Sequence, residues 1–324
     1  MAVATDAAIF CRSGQNLSEV GVMGQVFIHI FILLVMPPLL LGVIGKTKAL
    51  FGGRNGPPLL QAYYDLIKLF QKGSVFSTTT TWVFRAGPVV GLGTALLAGM
   101  LIPFGEHSAP VSFAGDMILF AYLFALGRFF TASAAMDTGS AFEGMGAARE
   151  VTFSCLAEPA LFFCFLVLAK LSGSLSLTGM LDGAFPFGVG ATVPALVLVG
   201  ASLFIVLLVE NSRIPFDDPN THLELTMIHE VMVLDHSGPA LGMIQYGAAM
   251  KLFVMGSVLL RVVAPFTFGN TWADWGLFVA GILVIAVVIG VVESMMARFK
   301  MILVPTVLVA ACLLSAFGVI LLLR

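Results

Sequence analysis

The sequence predicts an all-α, polytopic integral membrane protein, with about eight transmembrane helices and an interfacial amphipathic helix in the first cytoplasmic loop. Composition and segment length carry this reading. Of the 324 residues, 59% are hydrophobic and 10% are charged, with a mean hydropathy of +1.03. Soluble domains are nearer 25% charged. So little polar surface cannot cover a globule, so lipid is the expected solvent. The net charge of −2 says little, because both signs are scarce, and nothing in it points to nucleic acid.

A span needs about 20 mostly apolar residues. The segments that qualify are 20–44, 86–103, 115–136, 151–171, 191–209, 240–263, 275–292 and 301–323. They form one membrane domain over 1–324, with cytoplasmic functional loops at 45–85 and 210–238. The opening stretch MAVATDAAIFCRSGQNLSEV lacks the basic-then-apolar order of a cleavable signal. The apolar segment after it reads as a retained signal anchor. Cys155, Cys164 and Cys312 fall inside apolar segments and Cys11 precedes them, without a CxxC pair. They read as small core residues rather than ligands of an iron–sulfur or zinc site.

Lys and Arg give the expected orientation. Lys46, Lys48, Arg54, Lys68, Lys72 and Arg85 share one loop, and Arg149, Arg213, Arg298 and Lys300 fall in alternate loops on the same side. The loops over 104–114, 172–190 and 264–274 contain neither residue. The positive-inside rule then puts the basic loops in the cytoplasm of an inner-membrane protein, with both termini outside. Within the first basic loop, PPLLQAYYDLIKLFQK places Leu59, Tyr63, Leu66, Ile67 and Phe70 at helical spacing. That pattern predicts a helix too short to span, lying at the interface.

Ionisable groups at membrane depth are costly and mark function by default. Glu158, Arg128 and Lys251 lie inside predicted spans, and Glu210 and Glu293 at cytoplasmic ends. A carboxylate at Glu158, beside Pro159, must be paired, hydrated or protonated. Two readings stay open: a proton relay, or structural ion pairs joining helices. Lys170 and Arg261, near span ends, read as snorkelling outward, and Asp116 as wet.

The segment NSRIPFDDPNTHLELTMIHEVMVLDHSG concentrates charge and three of the five histidines. Apolar residues woven through it favour a docking surface for a soluble partner over a merely solvated loop. A metal site from His222, Glu224, His229 and Glu230 matches no strong motif. His222, His229 and His236 are of the residue type that titrates near neutral pH.

Four stretches, in order, resemble one family. They are RNGPPLLQAYYDLIKL, GMGAAREVTFSCLAEP, ENSRIPFDDPNTHLEL and LDHSG. The family is the membrane subunit that joins the soluble redox arm to the membrane arm. It occurs in respiratory complex I, the NADH-quinone oxidoreductase, and in energy-converting group 4 [NiFe] hydrogenases and formate hydrogenlyase. The resemblance implies eight spans and a role as anchor and coupling subunit. It also implies partners: hydrogenase-like large and small subunits, a ferredoxin-like iron–sulfur subunit and antiporter-like membrane subunits that pump protons or sodium. [4Fe–4S] clusters and a [NiFe] or related centre would sit in those partners, with no cofactor bound by this chain. By the same resemblance Arg54, Gln61, Asp65, Lys68, Arg149, Arg213, Asp217, Glu224 and Asp235 face the soluble arm. Glu158 and Glu210 match acidic positions leading toward the membrane proton path.

One departure separates the branches. Complex I carries a more acidic run where this chain has Asn220, His222 and Glu224. The form here is more similar to the hydrogenase-4 branch and argues against a quinone site. A quinone-linked complex I subunit is the rival reading, and a stand-alone transporter with midplane charges a more distant one.

Overall fold

Among the described residues, eight helices are long and apolar enough to cross a membrane. In the computed structural model, residues 2–105, 107–182, 192–217, 228–265 and 269–323 are described, with side chains from residue 23 onward. The spanning helices are α1 (Ala2–Phe51), α3 (Trp82–Leu101), α4 (Asp116–Asp137), α5 (Ala141–Ser172), α7 (Thr192–Glu210), α8 (Gly238–Val263), α9 (Thr271–Met295) and α10 (Val304–Leu321). The short helix α2 (Gln61–Gln71) follows α1, and the single turn α6 (Leu177–Met180) follows α5. Short 3₁₀ turns at Glu230–Val233 and Met301–Leu303 precede α8 and α10.

Helix α8 is the centre of the bundle and packs on α1, α2, α3, α7 and α9. Helix α3 also packs on α4, α5 on α4 and α7, and α10 on α5 and α7. Small residues permit the closest approaches, as lipid-phase packing favours. A Cβ on Gly87 would lie 3.0 Å from the Ala134 methyl, and one on Gly247 3.4 Å from the Leu92 Cα. At Gly290 of α9 a Cβ would come within 2.7 Å of Thr47 Cβ on α1.

Prolines 37 and 38 sit inside α1. Each removes an N–H that would have bonded a carbonyl one turn back. Tyr246 of α8 donates to the Leu34 carbonyl at 2.7 Å, and the Tyr63 hydroxyl of α2 donates to that of Val35. Neighbouring hydroxyls thus meet main-chain acceptors around the proline pair, and in doing so seat α2 and α8 against α1. The first loop does form the short helix that its spacing predicts. Tyr64, Ile67 and Phe70 remain exposed along it.

Helix ends depart from the apolar segments where polar turns continue a helix. Helix α5 starts at Ala141 rather than residue 151, and α1 runs through Lys46 and Lys48 to Phe51. At the start of α3, Thr81 caps the helix by accepting the Val83 N–H. Its own N–H and hydroxyl donate to Asp137 at 2.6 and 2.9 Å, fixing α3 to the end of α4.

Two charges expected in water are buried. Asp116 accepts from the Leu177 N–H at 2.6 Å and the Ser176 hydroxyl at 3.0 Å, with its side chain fully enclosed. Arg261 does not snorkel. It is buried, and its Nε donates to the Leu181 carbonyl at 2.9 Å. In both cases main-chain groups of the loop after α5 replace water. Lys170 is exposed.

Candidate functional site

Four spanning helices bring their ionisable groups to one place. Arg128 of α4 donates to Glu158 of α5 at 2.5 Å. Its other terminal nitrogen donates to both oxygens of Glu210, at the end of α7, at 2.8 and 2.7 Å. Lys251 of α8 donates to the same carboxylate at 2.7 Å. Glu150, two turns before Glu158 on α5, lies 3.8 Å from the Arg128 Nε. The side chains of Arg128 and Glu210 are only 9% and 8% exposed, whereas that of Glu158 is 42% exposed. Buried charges persist only when paired and hydrogen-bonded, and this chain of groups meets that condition.

The network borders a cavity with about 100 Å³ of space for water-sized molecules, room for several waters. Its apolar wall combines small residues, among them Gly87, Gly91 and Ala95 of α3, Gly127 of α4 and Gly247 of α8, with the larger Phe124, Met232 and Ile244. Thr94, Thr131, Asn211, Ser212 and His229 add polar groups. A smaller space of about 10 Å³ lies between Glu150, Glu210, Ser212 and Asp217.

A second ion cluster closes the same end of the bundle. Glu293 of α9, its side chain fully enclosed, pairs with Lys48 of α1 at 2.9 Å and Arg213 at 3.4 Å. Asp217 accepts from Arg298 at 2.7 Å and from the backbone N–H groups of Ile228 and His229 at 3.1 and 3.2 Å. The segment after α7 is thereby tied to the link before α10. The bond from the Phe299 N–H to the Pro215 carbonyl, 2.8 Å, reinforces that tie.

Of the relay residues expected from the sequence, Arg128, Glu158, Glu210 and Lys251 meet in one network. Glu293 belongs to the second cluster. Of the residues expected to face a soluble arm, Arg54, Asp65 and Lys68 are exposed, and Gln61 donates to Asp65 at 2.8 Å. Arg149 is half-buried and donates to the Met145 sulfur at 3.2 Å. Arg213 and Asp217 point inward, while Asp235 is exposed, its N–H donating to Glu143 at 3.1 Å. Glu224, with Asn220 and His222, lies outside the described residues. Sequence reasoning missed Glu150, Glu143 and the partner role of Lys48 and Arg298. The available signal for Glu150 was its place two helical turns before Glu158.

His236 stacks on Phe84 with ring centroids 3.9 Å apart, and burial pushes it down to about 4. His229 is also pushed below the ordinary histidine value, chiefly by burial. Glu150 and Asp217 oppose that shift and Lys251 adds to it.

A family model described as NADH dehydrogenase matches residues 24–324. The chain belongs to this NADH dehydrogenase family. Formate hydrogenlyase subunit 4 of Escherichia coli (strain K12) is 31% identical over 286 residues, covering 86% of this chain and 92% of that protein. Hydrogenase-4 component C of the same organism is 36% identical, covering 72% and 73%. The H component of the NADH-quinone oxidoreductase of Syntrophotalea carbinolica is 28% identical, covering 67% and 68%. Among solved structures, a chain of the membrane-bound sulfane sulfur reductase, an archaeal respiratory membrane complex, shares the fold at a TM-score of 0.80. It is 23% identical, over 93% of this chain and 99% of that one. The family match takes in α1 from residue 24 onward and the other seven membrane helices, including every member of both ion clusters.

Proposed function

We propose that this NADH dehydrogenase family member is the membrane anchor and coupling subunit of a redox-driven, ion-translocating complex. The observation that carries the reading is the Glu158–Arg128–Glu210–Lys251 network bordering a cavity with room for several waters. Alternating carboxylates and cations with room for water suit proton movement through apolar helices. Formate hydrogenlyase subunit 4 and hydrogenase-4 component C as relatives support the hydrogenase side.

In this reading the basic end faces the cytoplasm, with both termini outside. A soluble arm of hydrogenase-like large and small subunits and a ferredoxin-like subunit docks there, holding the iron–sulfur and [NiFe] or related centres. Its charge changes shift loop and network populations between two states. Glu158, the half-exposed member of the network, hands the change to antiporter-like membrane subunits. The NADH-quinone oxidoreductase relatives favour a second, quinone-linked reading. Gentle purification with mass spectrometry tests the first. Hydrogenase-like and antiporter-like partners are expected to copurify, and a lone 34.3 kDa subunit would sink it. Bound quinone, or inhibition by a quinone analogue, would favour the second.

A further inference from the structure

We propose that His229 is the proton carrier between the loop at Asp217 and the buried Glu150–Arg128–Glu210 network. This rests on the coupling function proposed above and assigns its cytoplasmic entry. His229 occupies the junction of the two clusters. Its backbone N–H donates to Asp217 at 3.2 Å, and the residue lines the cavity that Arg128, Glu150, Glu210 and Lys251 also line.

Asp217 itself is poorly placed to carry protons. Its Oδ1 receives Arg298, and its Oδ2 receives the N–H groups of Ile228 and His229. Those bonds anchor the loop and engage both oxygens as acceptors. An imidazole differs, because its two ring nitrogens let it accept a proton at one and donate from the other.

The charged groups around the ring come from four elements and the loop. Glu150 of α5 and Asp217 of the loop favour the imidazolium, and Lys251 of α8 opposes it. Arg128 of α4 and Glu210 of α7 line the same space. Burial, the largest effect, and Lys251 keep the resting ring neutral, so it holds a proton only in transit.

The step balances simply. A proton from bulk water binds the free ring nitrogen and gives an imidazolium. One of its two N–H protons then passes to the Glu150 carboxylate, directly or through one cavity water. Neutral imidazole and protonated Glu150 result, and the carboxylic acid of Glu150 is then a neighbour of Arg128, 3.8 Å from its Nε.

The test uses vesicles carrying the whole complex, driven by a reduced viologen dye and read with a pH-sensitive fluorophore. Assembly is checked by copurification. The wild type is expected to move protons with turnover. In His229→Gln turnover-linked proton movement should fall about 100-fold or more, the low end for losing a positioned proton-transfer group. His229→Ala should show the same loss and regain flux when imidazole is added, a recovery that a structural role would not give. If His229→Gln fails to assemble, the imidazole response of His229→Ala decides alone. Wild-type proton ratios in His229→Gln, or no rescue of His229→Ala, would overturn the assignment. A wild type that turns over without moving protons would instead defeat the coupling function itself.

Discussion

Arg128 and Glu210 are joined by two hydrogen bonds from one guanidinium nitrogen, 2.7 and 2.8 Å long. That nitrogen links α4 to α7 inside a bundle where water is scarce. The other terminal nitrogen holds Glu158 of α5, so one cation joins three helices. Removing it leaves Glu158 without its cation and Glu210 with Lys251 alone. Arg128→Met should lower stability by about 3–5 kcal/mol, the usual cost of breaking a buried pair. The midpoint of thermal unfolding of the solubilised complex measures this. A midpoint within error of wild type would show that the network is wetter than its geometry indicates.

Glu158 is the network's half-exposed member. Glu158→Gln keeps size and hydrogen-bonding shape but removes the titratable group. The complex should assemble normally and lose proton movement during turnover, because a relay needs a group that gains and loses protons. Vesicle acidification measures the outcome. Unchanged pumping by the variant would leave the Arg128–Glu158 contact as a helix tie only.

How much of this was legible in the sequence follows from which forces act locally. Lipid penalises each charge one residue at a time, so Arg128, Glu158 and Lys251 stood out without any fold. Their partners depend on which helices adjoin, which no single-residue cost reveals. Glu293 illustrates the limit. Its charge was visible, but its partners Lys48 and Arg213 come from distant segments. Asp116 and Arg261 were misread because depth rules count water and ignore backbone groups of a neighbouring loop. Glu143 and Glu150 were passed over because their polar surroundings read as loop, whereas α5 extends through both. The four family-like stretches marked the segments that hold Glu150, Glu158, Glu210 and Asp217, though not the contacts among them.

Asp217 and Arg298 form a tie between loops, which changes what charge reversal there should do. Asp217→Arg should loosen the segment 228–237, since it removes the acceptor for two backbone N–H groups as well as the ion pair. The soluble arm should then be released indirectly. Arg298→Glu should do the same through like-charge repulsion, while the double swap should recover part of the binding. Pull-down of the arm by each variant reads the result as a double-mutant cycle. Strict additivity of the two losses would separate the roles of these residues.

The approach of α1 and α9 at Gly290 lies one turn before Glu293. A side chain at Gly290 meets Thr47 Cβ at 2.7 Å and the Ile44 carbonyl at 3.2 Å. Gly290→Val must therefore spread the two helices, at a cost of about 1–3 kcal/mol. Spreading also draws Lys48 away from the enclosed Glu293 carboxylate. Losses in Gly290→Val and Glu293→Gln should then overlap, so the double variant loses less than their sum. Thermal unfolding of the three variants checks this, and additive losses would show that packing and ion pair act separately.

His236 supplies a pH test that turns on sign. Stacked on Phe84 and close to Asp235, it stays neutral down to about pH 4 in the folded loop, whereas the ordinary value is 6.5. Between those values the unfolded segment binds more protons than the folded one. The local stability of residues 228–237 should therefore rise with pH across that window and fall as acid is added. His236→Phe keeps a ring against Phe84 and removes the titration, so its stability should be flat over the same range. Hydrogen exchange of these backbone amides, corrected for intrinsic rates, should show protection weaker at about pH 4.5 than at about pH 7 in the wild type only. Equal pH dependence in both proteins would move its origin from His236 to the neighbouring carboxylates Asp235 and Glu143.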